Sequence, residues 1–172
     1  MAIPFPFLNT KRLYLREVVA SDAVQIHFLR SDKTVNRYIK RPQPQTLEIA
    51  TAHIQKLTAA INANQAIAWG IMLQDSPTLI GTIGLRNFSA DRKTAEVGYD
   101  LDPIFHRQGI MSEALKAVLD FGFTHYGLQT IMAFTDYRNS PSKKLLKQHG
   151  FIPSCNLTDP DNQDNEVYHL NR

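Results

Sequence analysis

Residues 94–113, TAEVGYDLDPIFHRQGIMSE, limit most strongly how this chain can fold, because the hydrophobic period changes from two residues to three-and-four across a proline and a glycine. From Thr94 to Leu101, Val97, Tyr99 and Leu101 alternate with Glu96, Gly98 and Asp100, the pattern of a strand buried on one face. Pro103 has no N–H for a ladder and ends the strand. After the turn His106-Arg107-Gln108-Gly109, the spacing of Met111, Ala114, Leu115, Val118, Leu119 and Gly122 predicts an amphipathic helix from Ile110 to about Tyr126, with Ser112 and Glu113 in its first turn. The first amides of such a helix have no internal partner and carry the positive end of its dipole. A glycine at position 109 lets a phosphate approach them without meeting a Cβ. The same turn would also serve simply to reverse the chain, so a phosphate site needs support from elsewhere.

The remaining chain reads as alternating strands and helices. Lys11 to Glu17 alternates Leu13 and Leu15 with Arg12, Tyr14 and Arg16, a first strand. Ser21 and Asp22 are suited to cap a helix carrying Val24, Ile26, His27 and Leu29. A turn over Thr34 to Ile39 leads into RPQPQ, whose prolines break helix before Thr46 caps a longer one from Leu47 to about Ile61. Asn62-Ala63-Asn64 closes it. Ala66 to Leu73, with Trp69, and Leu79 to Asn87 are predicted strands separated by the turn Asp75-Ser76-Pro77, and with the strand at 94–101 they form an antiparallel meander. Thr130 to Tyr137 is a further strand. Asn139 begins a short helix that stops at Gly150, a strand starts at Phe151, and the polar loop LTDPDNQDN precedes a last strand, Glu166 to Asn171.

Composition excludes several classes. At 172 residues the chain suits one domain, and 43% hydrophobic with 20% charged residues is ordinary for a folded globular protein. The lone Cys155 cannot form an internal disulfide, has no histidine beside it, and is expected to be a small core residue. The six histidines show no HExxH or similar spacing, so no metal is expected. A net charge of +3 does not argue for nucleic acid. No apolar run reaches membrane-span length, and MAIPFPFLNTKR lacks the charge order of a signal peptide, so a cytoplasmic protein is expected.

Two segments taken together carry a resemblance. His106-Arg107-Gln108-Gly109-Ile110-Met111 is similar to the pyrophosphate loop Gln/Arg-x-x-Gly-x-Gly/Ala of the GNAT superfamily of N-acetyltransferases, and Asn139, Ser142, Leu145 or Leu146, Gly150 and Phe151 match its later helix. More narrowly, TKRLYLREVVASDA, AEVGYDLDP, GIMSEAL and NSPS…GF resemble the branch containing ribosomal-protein alanine N-terminal acetyltransferases (RimJ/RimL-like), in the same order along nearly the whole chain. The leading Gln or Arg of the loop is His106 here with Arg107 beside it, and the last small residue is Met111, which keeps a backbone N–H to offer. The resemblance implies an α/β single domain over residues 1–172, with a mixed, mostly antiparallel sheet of about seven strands flanked by helices. It also implies acetyl-CoA as co-substrate and an amine as acceptor, with a homodimer left open.

Site residues follow from the same resemblance. The pantetheine arm would pair with the backbone of Asp100, Leu101 and Asp102, and the diphosphate would sit on residues 106–111. Glu96 stands where related enzymes carry a carboxylate base; the bland alternative is a surface strand glutamate. Asn139 would bind the pantetheine amide and Ser142 would reprotonate the leaving thiolate, although both also make good helix caps. Tyr137 is an alternative acid, or simply core. Lys143, Lys144 and Lys147 share one helix, and Lys144 is a candidate for the 3′-phosphate. At pH near 7.5 an α-amine of pKa about 7.8 is roughly one-third neutral and a lysine of pKa about 10.4 only about 0.1% neutral, so a site with one carboxylate base favours a protein N-terminus. A small-molecule amine (polyamine, amino acid or antibiotic) and a non-catalytic CoA-binding module are the alternatives. Substrate-facing residues are expected from Thr34 to Gln45 and from the 157–165 loop.

Overall fold

The computed structural model describes residues 4–43 and 45–172; Pro44, the second proline of the expected helix break, lies outside the described residues. The elements run β1 (Leu8–Asn9), β2 (Leu13–Glu17), α1 (Ala23–Ser31), α2 (Leu47–Asn62), β3 (Ala66–Leu73), β4 (Gly81–Arg86), β5 (Thr94–Leu101), α3 (Ile110–Thr124), β6 (Thr130–Asp136), α4 (Ser140–Gln148), β7 (Ile152–Pro153) and β8 (Asn165–Asn171). They build one sheet of eight strands in the order β1-β2-β3-β4-β5-β6-β8-β7. The one strand beyond those expected is β1, a two-residue piece at the sheet edge, and the strand expected from Phe151 is the two-residue edge piece β7. Every neighbouring pair is antiparallel except β5 and β6.

Local rules explain most boundaries. Thr46 accepts from the Ile49 amide and starts α2, while Asn64, at φ 56°, turns the chain out of it. β4 stops at Arg86, one residue short of the expected end, because Asn87 takes φ 50° and leaves the ladder. Asp22 is a correction: it makes no cap bond to α1, because its buried carboxylate is held instead by both terminal nitrogens of Arg16, at 2.7 and 2.8 Å, and by the Val19 amide.

The sheet separates two apolar layers. One joins α3 and Leu146 of α4 to Leu13, Trp69, Ile83, Leu85 and Val97. Trp69 is fully buried, edge-on to Phe121, and its indole N–H donates to Pro6 O at 2.7 Å. The smaller layer packs Ile26, Leu29, Ala50 and Ile54 of α1 and α2 on Met72 and Leu79. Glu113 in the first turn of α3 ties that helix to the start of β2: it accepts from Thr10 Oγ1 (2.6 Å), the Arg12 amide (2.8 Å) and Arg12 Nε (2.6 Å). Burial works against its charge, but these bonds outweigh it and hold the carboxyl below its usual range.

Two outcomes follow. Glu113→Ala should lower the unfolding free energy by about 2 kcal/mol, seen as an earlier midpoint in urea, since charge-assisted bonds are lost at both ends of the clamp. His53 of α2 is pushed down to about 4 by burial, with repulsion from Arg30, Arg41 and Lys56 added. The unfolded chain therefore binds a proton that the folded one refuses. The stability from neutral His53 is present above about pH 6.5 and is lost as pH falls towards 4. Thermal midpoints measured across that window should fall more steeply for the native chain than for His53→Gln.

Candidate active site

β5 and β6 pair only from Thr94–Thr130 to Val97–Ala133. Beyond that, β5 continues to Leu101 on β4 and β6 to Asp136 on β8, so the two parallel strands part and leave a gap in the sheet. The alternation of an antiparallel ladder fixes what lines its edge. The Asp102 N–H donates to Ile80 O at 2.9 Å, so Asp100 and Gly98 also turn their main-chain groups to β4, while Tyr99 and Leu101 turn theirs to the gap. This corrects the expectation for Asp100 and Asp102. Their amides face β4, and Asp102 uses its carboxylate to accept from Ile104 N. The Leu101 carbonyl is already taken by the His106 ring at 2.9 Å, leaving the Tyr99 N–H and C=O and the Leu101 N–H on the open edge.

At one end of the gap stands the start of α3. Gly109 has φ 74°, a left-handed conformation, and a Cβ there would come within 3.3 Å of Arg12 Nη2. Arg12 also donates through Nη1 to Gln108 O at 2.8 Å, so a guanidinium held by Glu113 flanks the turn. Of the expected phosphate contacts, the amides of Gly109, Ile110 and Met111 stand at the helix start, and the Ile110 and Met111 side chains are buried. Arg107 is exposed at φ 60°. The side chains of His106 and Gln108, both exposed, are spent on the main chain just before them, at Leu101 O (2.9 Å) and Ile104 O (2.7 Å). Open amides flanked by Arg12 and Arg107 suit the diphosphate of a CoA thioester.

α4 borders the other side. Asn139 caps it through the Ser142 amide (3.2 Å), and Ser142 Oγ lies 2.8 Å from the Tyr99 hydroxyl. Burial pushes the Tyr99 phenol up to about 12, with the Ser142 bond opposing, so it keeps its proton at neutral pH. A second link, Ser112 Oγ to His149 Nε2 at 2.8 Å, joins α3 to α4. Tyr137 is not core: it is 53% exposed under Arg138, because the chain leaves β6 one residue earlier. Lys143 is engaged by Glu166 and Tyr137 O, whereas Lys144 and Lys147 are exposed beside a shallow hollow on α4. Cys155 is exposed, not core, since it follows the edge strand β7 into the polar loop.

A cleft of about 740 Å³ passes through the gap to the α1/α2 face of the sheet. Asn139, Ser142 and Tyr99 line its near part, and Glu96, Gly98 and Asp100 its far part. Residues 38–41 and the loop around Asp159 to Asn162 border it, and both lie within the segments expected from the sequence to face a substrate. Lys40 links these two segments, 2.6 Å from Asn162 Oδ1 and 2.9 Å from Asp164. Glu96 accepts from Asn87 Nδ2 at 2.9 Å and faces Arg86 Nε at 3.7 Å, so its carboxylate is in the cleft and held by donors. Among the described residues no group of three or more His, Cys, Asp or Glu side chains is placed to hold a metal ion. No helix among them is long and apolar enough to cross a membrane. The roles of Tyr99, Arg12 and Glu113 are not apparent in the sequence alone. Glu113 is visible there as an acid at a helix start, but nothing marks its partners a hundred positions away.

Comparison with known proteins agrees with this geometry. The acetyltransferase (GNAT) domain family matches residues 12–152. The chain is 36% identical over 147 residues to the uncharacterized N-acetyltransferase YoaA of Bacillus subtilis, covering 86% of this chain and 83% of that protein. Among solved structures, the ribosomal-protein-S5-alanine acetyltransferase of Vibrio fischeri superposes with TM-score 0.81 at 23% identity, over 96% of each chain. RimL, a ribosomal L7/L12 alpha-N-protein acetyltransferase in complex with coenzyme A, superposes with TM-score 0.83 at 21% identity over 96% of this chain and 98% of that one. A strand pair that opens beside a glycine-led helix start, on a chain matched from Arg12 to Ile152, makes this protein a member of the GNAT acetyltransferase family.

Proposed function

We propose that the protein transfers the acetyl group of acetyl-CoA to a primary amine, with the α-amine of a protein N-terminus as the preferred acceptor. The observation that carries this is the unpaired edge of Tyr99 and Leu101, which the chain follows with the Gly109 helix start and which opens on a cleft lined by Tyr99 and, on the far side of the sheet, Glu96. The thioester supplies an already activated acyl carbon, so the chain has only to orient an amine and manage two protons. Of the two free amides on the gap edge, the Tyr99 N–H is the proposed donor to the oxygen of the acyl group. Glu96, directly or through water, accepts the proton that the amine loses as its nitrogen bonds to the acyl carbon. As the carbon–sulfur bond breaks, Ser142 Oγ gives a proton to the sulfur and takes one from the Tyr99 hydroxyl, which recovers it from water in the open cleft, so that Tyr99 ends protonated. Tyr99 takes the place that sequence alone gave to Tyr137 as the second acid. Asn139, on the cleft beside Ser142, is the candidate for the pantetheine amide, and exposed Lys144 for the 3′-phosphate.

The names of the relatives support a protein N-terminus, since two similar structures are ribosomal-protein acetyltransferases. Release of free CoA thiol from acetyl-CoA should appear with peptides beginning in Ala or Ser. Release with polyamines or antibiotics alone would move the acceptor to small molecules. Thermal stabilisation by acetyl-CoA without thiol release from any amine would leave a binding module. Glu96→Gln should lower kcat/KM about 10²-fold, most strongly at low pH where less of the amine is neutral, with the affinity for CoA unchanged in calorimetry. Ser142→Ala should lower kcat by a smaller factor, roughly tenfold, and Tyr99→Phe should reproduce part of that loss.

A further inference from the structure

Arg30, in the last turn of α1, and Arg41 both line the α1/α2 side of the cleft. Arg41 is 13% exposed; its Nη1 donates to Asn36 Oδ1 at 2.6 Å, while Nη2 lies a long 3.4 Å from Asp100 Oδ2. Arg30 donates through Nε to Gln45 Oε1 at 2.9 Å, and its two terminal nitrogens meet no acceptor among the described residues. Desolvation and the neighbouring Arg41 both act against the Arg30 charge, and Asp100 is the carboxylate that offsets it. The adjacent His53 adds no negative group. The other carboxylates of the lining have their own partners or lie out on the loop: Glu96 with Arg86 and Asn87, Asp136 with Arg138, Asp159 with Asn165, and Asp161 exposed. A partly desolvated guanidinium pair with one shared carboxylate is electrostatically incomplete, and a second anion would complete it.

Building on the acetyl-transfer reading above, we infer that the acceptor amine carries a carboxylate a few bonds away, and that Arg30 and Arg41 bind it. The spacing supports this. Asp100, which Arg41 meets, follows Tyr99, whose free N–H faces the gap, so the anion would lie one to two residue lengths, roughly 3–7 Å, from the reacting amine. That span fits a free amino acid, or a peptide N-terminus with an acidic side chain in its first two residues. An unsubstituted polyamine would bring only more positive charge to this wall.

The test measures kcat/KM for CoA release from acetyl-CoA by the full chain with two matched pairs. One is free alanine against alaninamide; the other is Ala-Asp-Ala-Ala amide against Ala-Asn-Ala-Ala amide. The acidic member of at least one pair should be preferred by about tenfold or more, the size expected for one charge-assisted contact, and the pair that shows it identifies the source of the carboxylate. Arg30→Gln should erase the preference, mainly through KM, and Arg30→Lys should restore part of it. Equal rates within both pairs, or a preference that survives Arg30→Gln in a variant whose thermal midpoint matches the native chain, would overturn the anion site alone. Absence of CoA release with all four acceptors would overturn the acetyl-transfer reading and this inference with it.

Discussion

The failure of β5 and β6 to stay paired beyond Val97 and Ala133 is the constraint on which the rest depends. A sheet normally satisfies each main-chain donor and acceptor from a neighbouring strand, and strand edges left open inside a protein are costly unless water or a ligand serves them. Here both strands continue, each supported from its outer side by β4 or β8, so the parting is held open from two directions. Parallel pairing makes this natural: β5 and β6 are joined through a crossover helix, and no hairpin turn ties their far ends together. The start of that same helix, α3, supplies unpaired amides beside the opening.

The opening is framed by side chains that act across it. Tyr99 on β5 reaches Ser142 on α4, Ser112 on α3 reaches His149 at the end of α4, and Glu113 secures α3 to Thr10 and Arg12 before β2. These contacts involve modest numbers of hydrogen bonds, but several are partly buried, where an unmade bond costs more than a made one gains. They fix the position of the Gly109 turn relative to the strand edge. That relation decides whether a ligand held at one end delivers its reactive end to the other.

Much of this was legible in the sequence, for reasons that differ by element. β3 has the predicted start because left-handed Asn64 lies just before it, and β5 has the predicted end because alternating burial meets the stop at Pro103. The Gly109 turn and the Asn139 cap were visible because glycine conformation and capping are local properties. The errors arise where a distant partner overrides a local preference. Asp22 looks like a cap, but Arg16 offers two charge-assisted bonds. Which of Asp100, Leu101 and Asp102 turns its main chain to the gap depends on strand parity relative to β4, and that becomes known only with the register. Tyr137 follows β6 instead of ending it, so its side chain lies on the surface, while Tyr99 reads as ordinary core until α4 is seen beside it. Arg30 and Arg41 belong to different segments, and nothing in their spacing shows that they share a wall.

Lys40 joins the two segments that border the cleft, and its side chain is 64% exposed against 42% for Asp164. Ion pairs so open to solvent contribute little and weaken further as counterions shield them. The rim is therefore latched only lightly, in contrast to the strand edges and helix start beneath it. Such a gradient of rigidity separates tasks: bulky acceptors can be admitted and products let go by small movements of surface chain, while the deeper scaffold that aligns the reacting atoms stays still.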